Sequence, residues 1–93
     1  MAHPKPTLDP EISDEPPISD VLTDYDHTML VVYLRLLDAD AAGADWREVA
    51  RIVLKIDPEK EPLRAKHRHA THLARARWMT ETGYRHLLRE TPD

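Results

Sequence analysis

The chain has 93 residues, and its formal net charge at pH 7 is −4. This length restricts it to one domain with a single modest core. The absence of cysteine excludes a disulfide framework and a thiolate zinc site, and it fits a reducing, cytoplasmic environment. The N-terminus lacks the apolar stretch of a secretory signal, and the longest apolar run, residues 29–34, is far too short to cross a bilayer.

Charge is distributed unevenly along the chain. Residues 1–26 contain seven acidic residues and one lysine, whereas residues 62–93 contain seven basic residues and three acidic ones. Such asymmetry is typical of contact with a polyanion or of self-shielding, and an ordinary solvated helix face with a solubilising tail is the alternative.

Residues 1–22 form an acidic, proline-rich segment, called the arm below. Five of the eight prolines lie in residues 1–20. Proline blocks helix interiors and central strands, and like charges repel one another. We therefore predict an arm that is disordered or extended when unbound, followed by a helical domain over residues 23–91. Four apolar residues of the arm are candidates for docking on the domain or on a partner: Ile12, Ile18, Val21 and Leu22.

Two helices are predicted in the first half of the domain. The first begins near Asp24, where acidic residues suit the positive end of the helix dipole, and it ends between residues 39 and 43, where Gly43 can adopt a capping or turn conformation. The second begins with a capping box formed by Asp45 and Glu48, and it ends before Pro58, which predicts a helix over residues 46–56.

A third helix is predicted from Pro62 to about residue 82, with Gly83 as its break and a short last helix over residues 84–89. Helical periodicity predicts an inward stripe on the third helix and a basic outward side. The inward stripe is Leu63, His67, Ala70, Leu73, Ala74 and Trp78, and the outward side is Arg64, Arg68, Thr71 and Arg75. The predicted core packs Trp46, Val49, Ile52 and Val53 against Leu73, Trp78, Leu87 and Leu88. The predicted fold class is therefore all-α, a helix-turn-helix variant of about four helices.

Catalytic chemistry is not predicted. Only two glycines are present, which excludes a glycine-rich phosphate loop, and the serines Ser13 and Ser19 lie in the arm, where catalytic geometry cannot be held. Three histidines, His67, His69 and His72, fall in the third helix, but arginines surround them and no carboxylate–histidine motif faces them. We expect no cofactor, no metal and no small-molecule substrate.

The order of a short capped helix, a turn and a basic helix is typical of a helix-turn-helix. In that motif the second helix would bring arginines to phosphates, and Thr71 or His72 to base edges. Two features oppose DNA binding: the chain is acidic overall, and the turn carries Asp57, Glu59 and Glu61.

The chain also resembles a known family. The strings that carry the resemblance are WREVARIV at residues 46–53, IDP at 56–58, HLARARWM at 72–79 and GYRHLL at 83–88. They resemble the proteobacterial domain-of-unknown-function family 2285 over roughly residues 24–90. Members of that family adopt a helix-turn-helix variant and are associated with mobile elements. In size and acidity the chain is most similar to short, stand-alone, QseM-type antiactivators.

The resemblance implies an antiactivator that binds a transcriptional activator and represses excision and conjugative transfer of an integrative and conjugative element, in a quorum-sensing or other circuit. A DNA-binding helix-turn-helix regulator is the alternative. The partner is then a protein, with no membrane involved. Surface considerations alone select five partner-contacting residues, because arginines and exposed apolar side chains anchor interfaces: Arg64, Arg68, His72, Arg75 and Met79.

Overall fold

A computed structural model describes residues 5–7 and 10–83 of the chain. The described part contains α1 (Asp24–Thr28), α2 (Leu30–Ala41), α3 (Trp46–Ile52) and α4 (Pro62–Trp78), followed by a π-helical turn at Met79–Gly83. These residues include no strand, so the predicted all-α class is confirmed. The predicted short helix over residues 84–89 lies outside the described residues.

The first predicted helix is divided in two at Met29. The Thr23 hydroxyl accepts a hydrogen bond from the Asp26 backbone N–H, and the Asp26 carboxylate accepts one from the Thr23 N–H, which completes a capping box. Met29 has φ −88° and ψ 3°, outside the helical region, and is fully buried. Its N–H still bonds the Tyr25 carbonyl, and its own carbonyl accepts from the Tyr33 N–H, so Met29 links the two helices through backbone hydrogen bonds on both sides. Because apolar residues continue at helical spacing on both sides of Met29, the sequence pattern predicted one uninterrupted helix.

Helix α2 ends in a C-terminal cap at Gly43, as predicted. Gly43 has φ +74°, its N–H donates to the Asp40 carbonyl at 3.0 Å, and the Ala44 N–H donates to the Ala39 carbonyl at 3.0 Å. These two bonds define a Schellman motif, which places a left-handed residue after the helix. The Asp45 carboxylate then accepts from the Arg47 N–H and starts α3, so this single cap takes the place of the reciprocal capping box predicted with Glu48.

Helix α3 is shorter than predicted, since it ends at Ile52 and not at residue 56. The chain passes through Lys55, which has φ +57°, and the Ile56 N–H bonds back to the Ala50 carbonyl at 3.1 Å. Leu54 and Ile56 are nevertheless buried, so apolar residues that read as a continuing helix reach the core from an irregular turn.

Helix α4 buries a different side from the one that the sequence predicted. Its buried residues are Ala65, Arg68, His72, Leu73, Arg75 and Ala76. Leu63, His67, Ala70 and Ala74, which were predicted to face inward, are exposed. The inward prediction for these four residues is therefore wrong. Burial of these arginines is tolerated because carboxylates pair with their charge and backbone carbonyls accept their hydrogen bonds. The spacing of apolar residues gives no sign of such an arrangement.

The core lies where α4 crosses α2 and α3. Of the eight predicted core residues, Val49, Val53 and Leu73 are buried, and Trp46 and Trp78 are half-buried against the core. Ile52 is 55% exposed, so its core assignment is wrong. It lies about 100° around the helix from Val53, which occupies the inward position. The remaining two, Leu87 and Leu88, lie outside the described residues.

Two leucines allow a matched test of this packing. Leu54 is fully buried, whereas Leu63 is 84% exposed. We expect Leu54→Ala to lower the free energy of unfolding by about 2–5 kcal/mol, because the change leaves a cavity. Leu63→Ala should change it by no more than about 0.5 kcal/mol. Chemical denaturation monitored by circular dichroism measures both. A loss in Leu63→Ala as large as that expected for Leu54→Ala would contradict the orientation of α4, and a negligible loss in Leu54→Ala would contradict its burial.

Candidate nucleic-acid interface

Within the described residues, the part of the arm from Asp14 to Val21 lies along α4 and places acidic side chains on basic ones. Asp14 Oδ1 accepts from Arg64 Nε at 2.7 Å and from Arg68 Nη2 at 2.8 Å. Next to it, Glu15 Oε2 lies 3.1 Å from His67 Nε2. Hydrogen bonds from Arg68 and Arg64 hold the pKa of Asp14 below its usual value. The arm therefore covers one flank of the basic helix with negative charge.

Beside the later part of the arm, Arg75 of α4 connects three parts of the molecule. Its Nη2 donates to Asp26 Oδ2 at 2.6 Å and its Nε donates to Asp26 Oδ1 at 3.0 Å. Its remaining donors bond the arm carbonyls of Ser19 and Val21 at 2.7 and 2.9 Å. The guanidinium carbon lies 3.8 Å from the ring centroid of Trp78, a close cation–π contact. Arg75 thus joins the arm, α1 and α4 at a single buried point.

Asp26 is fully buried and also accepts a hydrogen bond from the Tyr33 hydroxyl at 2.8 Å, which brings α2 into the same network. Burial acts to raise the pKa of Asp26, but hydrogen bonds from Arg75, Thr23 and Tyr33 outweigh it, and the net shift is downward. Burial and the neighbouring Asp26 carboxylate raise the pKa of Tyr33. Asp26 is therefore held ionised and Tyr33 neutral.

A second buried network centres on His72. Its Nδ1 lies 2.8 Å from the Arg68 carbonyl, which can only accept, so Nδ1 carries the proton. Nε2 then accepts from the Tyr25 hydroxyl at 2.7 Å, and that hydroxyl in turn accepts from the Ser13 N–H at 3.1 Å. Burial lowers the pKa of His72 to about 4, so the imidazole is neutral at physiological pH.

The five residues that the sequence analysis selected as a partner-contacting surface are mostly buried in the structure. Arg68, His72, Arg75 and Met79 are buried, and Arg64 is half-exposed and paired with Asp14 and Glu61. The five therefore do not form an open face of the described structure. The signal for this coverage was the match between seven acidic residues near the N-terminus and the basic third helix, which indicated self-shielding but did not enter the selection of the five residues.

A different face of α4 is open to solvent. It consists of residues spaced at helical intervals along the whole helix: Leu63, Lys66, His67, Ala70, Ala74 and Arg77. We call it the exposed stripe. Its centre carries only the small side chains of Ala70 and Ala74, and within the described residues Lys66 forms no ion pair. At the far end Arg77 Nη2 donates to Asp40 Oδ2 at 2.6 Å, and this pair is half-exposed.

Helix α3 adds positive charge beside the exposed stripe. The Trp46 ring contacts His69 of α4, with centroids 6.2 Å apart, and the Arg47 guanidinium lies 5.0 Å from the centroid of the Trp46 ring. Lys66 lies one turn before His69 on α4 and faces solvent. Burial lowers the pKa of His69, so permanent charge at this edge comes from arginine and lysine.

The acidic turn before α4 is partly neutralised within the protein. Glu61 Oε1 accepts from Arg64 Nη1 at 2.7 Å, and Asp57 Oδ1 accepts from the Glu59 N–H at 2.9 Å. The Glu61 carboxylate is therefore compensated by a cation one turn away. This weakens the objection that the turn would repel phosphate at the start of the helix.

The chain matches the RovC DNA-binding domain family, which is described as the DNA-binding domain of a T6SS transcription factor. The match spans residues 6–89, nearly the whole chain, and the protein belongs to this family. It is a transcription-factor family and not an enzyme family. No curated protein sequence matches the chain at a significant level.

Membership in this family corrects the resemblance drawn from sequence motifs. The assignment to the domain-of-unknown-function family 2285 and its antiactivators was wrong, because the family that matches is one of DNA-binding domains. The all-helical, transcription-related part of that prediction remains, and the preference for a protein-binding antiactivator over a DNA-binding regulator is reversed.

Two absences hold for the residues that the structure describes. None of their helices combines the length and apolar character needed to traverse a bilayer. They also contain no group of three or more histidine, aspartate or glutamate side chains arranged to hold a metal ion.

The buried ion pair should be far more important for stability than an exposed one. We expect Arg75→Met to lower the free energy of unfolding by about 3–5 kcal/mol, because it leaves Asp26 buried without its cation. Arg77→Met, which breaks the half-exposed pair with Asp40, should cost at most about 1 kcal/mol. Denaturant titration compares the two, and similar losses would argue against the network around Asp26.

Stability should also depend on pH through His72. Its pKa is about 4 in the folded protein and about 6.5 in the unfolded chain, so between these values the unfolded state binds more protons. The free energy of unfolding should therefore fall as the pH is lowered from about 6.5 to about 4, by at most about 3 kcal/mol. Asp26, whose folded pKa is lowered, loses its contribution only at lower pH.

Two histidine variants, each measured by denaturation across this pH range, test whether His72 is the group responsible for the pH dependence of stability. His72→Gln should flatten the profile between pH 4 and 6.5, whereas His67→Gln, on the exposed stripe, should retain it. An unchanged slope in His72→Gln would show that another group is responsible.

Proposed function

We propose that this protein is a DNA-binding transcriptional regulator that reads duplex DNA with α4. The observation that carries the proposal is the family match over residues 6–89. The geometry supports it, because α3 and α4 follow one another in helix-turn-helix order and α4 presents a continuous exposed stripe.

The exposed stripe suits the major groove in shape and charge. Ala70 and Ala74 allow the helix backbone to approach base edges closely, and an alanine or leucine methyl can contact the methyl group of thymine. Lys66 supplies a cation that has no carboxylate partner among the described residues. Arg64 and Arg68 lie on the flank of this helix, where the phosphate backbones would border the groove.

DNA affinity should depend on Lys66 and on salt. We expect the protein to bind labelled duplex DNA at low salt, with a dissociation constant that rises steeply as salt is added, because counterions are released. Lys66→Ala should weaken binding and lower the slope of log K against log salt by about 1. Fluorescence anisotropy across a salt series measures both quantities.

Arg35→Ala is the matched control, because Arg35 is an exposed basic residue on α2 and not on the exposed stripe. It removes the same charge and should reduce affinity much less. Absence of binding to genomic DNA fragments at low salt would refute the proposed function. Equal losses in both variants would refute the exposed stripe as the contact surface.

A further inference from the structure

We propose that Arg64 and Arg68 form a binding site for a phosphodiester of DNA, and that the arm occupies this site with the Asp14 carboxylate when no DNA is bound. The inference rests on the proposed function and extends it to regulation: the arm competes with DNA within the same molecule.

The first argument is the chemistry of the site. A single oxygen, Asp14 Oδ1, accepts from Arg64 Nε at 2.7 Å and from Arg68 Nη2 at 2.8 Å. Guanidinium groups recognise phosphate through charge-assisted, often bidentate hydrogen bonds, and two of them converge on this anion. A phosphodiester shares one negative charge between two non-bridging oxygens and can offer one of them to each guanidinium, whereas the carboxylate here uses one oxygen for both.

The second argument is unused hydrogen-bonding capacity. Arg68 is only 7% exposed, and its Nε has no hydrogen-bond partner within the described structure. A buried donor without an acceptor is costly, so the arm satisfies this guanidinium incompletely. Its Nη1 bonds the Leu54 carbonyl at 3.1 Å, which fixes the group in place even when its anion changes.

The third argument is the way in which the arm is attached. Its later part is anchored, because Arg75 bonds the Ser19 and Val21 carbonyls and Leu22 is buried. Around Asp14 the charged contacts are partly exposed, because the Asp14 side chain is half-exposed and salt screens such pairs. The Ser13 N–H also bonds the Tyr25 hydroxyl, and Ile12 packs against the core. Release of Asp14 from α4 therefore requires the neighbouring Ser13–Tyr25 hydrogen bond to break as well, whereas residues 19–22 can stay in place.

The fourth argument is position. Arg64 and Arg68 lie on the flank of α4 beside His67, which belongs to the exposed stripe. A helix inserted in the major groove brings its flanks to the phosphate backbones. In the closed arrangement Asp14 and Glu15 would lie against those phosphates and repel them, so DNA binding requires this part of the arm to move.

The test compares two substitutions that change net charge equally. Asp14→Asn weakens the carboxylate's hold on the arginines, whereas Asp20→Asn alters an exposed arm residue that forms no ion pair within the described residues. We expect Asp14→Asn to raise affinity for duplex DNA about tenfold and to steepen the salt slope by about 1, because one more phosphate is contacted. Asp20→Asn should produce a much smaller change.

A second readout does not depend on DNA binding. Titration with inorganic phosphate, followed by the Nε–Hε resonance of Arg64 in NMR spectra, should show saturable binding in Asp14→Asn that is about tenfold weaker in the wild-type protein. Arg64→Gln in the Asp14→Asn background, monitored instead through the Nε–Hε resonance of Arg68, should abolish the gain in phosphate binding and the gain in DNA affinity.

The outcomes distinguish the two proposals. Phosphate binding at Arg64 without any DNA binding would retain the anion site and refute the proposed function. DNA binding that Asp14→Asn leaves unchanged, or that Asp20→Asn enhances equally, would overturn the arm's competition with DNA while the proposed function stands. Absence of phosphate binding in Asp14→Asn would overturn the anion site.

Discussion

The ion pair between Asp26 and Arg75 is the constraint on which the other contacts depend. Both side chains are buried, and each would be strongly destabilising without the other. The pair is well satisfied, because Asp26 also accepts from Thr23 and Tyr33 and Arg75 also donates to two arm carbonyls. One charged contact therefore determines where α1 begins, how α4 is rotated and where the arm crosses it.

This constraint explains which parts of the structure could be predicted from the sequence. Local signals were reliable: Gly43 closes α2 and Asp45 starts α3, because capping depends on residues within a few positions. The rotation of α4 was not predictable in the same way. It depends on Arg75 meeting a carboxylate 49 residues away, and hydrophobic periodicity treats every arginine as solvent-facing.

The candidate interface was only partly accessible for the same reason. The sequence indicated a basic third helix in helix-turn-helix order and an acidic arm, but it could not show that one lies on the other. Arginines selected as open contacts are consequently covered, and the open face contains Lys66 and two alanines that the periodicity had assigned to the core. Overall acidity favoured a protein partner over DNA, yet much of that acidity is directed at the protein's own cations.

The stacking of Arg75 on Trp78 provides an intrinsic optical reporter of the arm. The indole lies 3.8 Å from a guanidinium carbon that also bonds the arm carbonyls, and the groove between the arm and α4 is lined by the same tryptophan. Trp46, the second of the two tryptophans, instead contacts Arg47 and His69. Emission from Trp78 is therefore sensitive to the local environment of the arm, and a Trp46→Phe protein would make that signal readable without any attached dye.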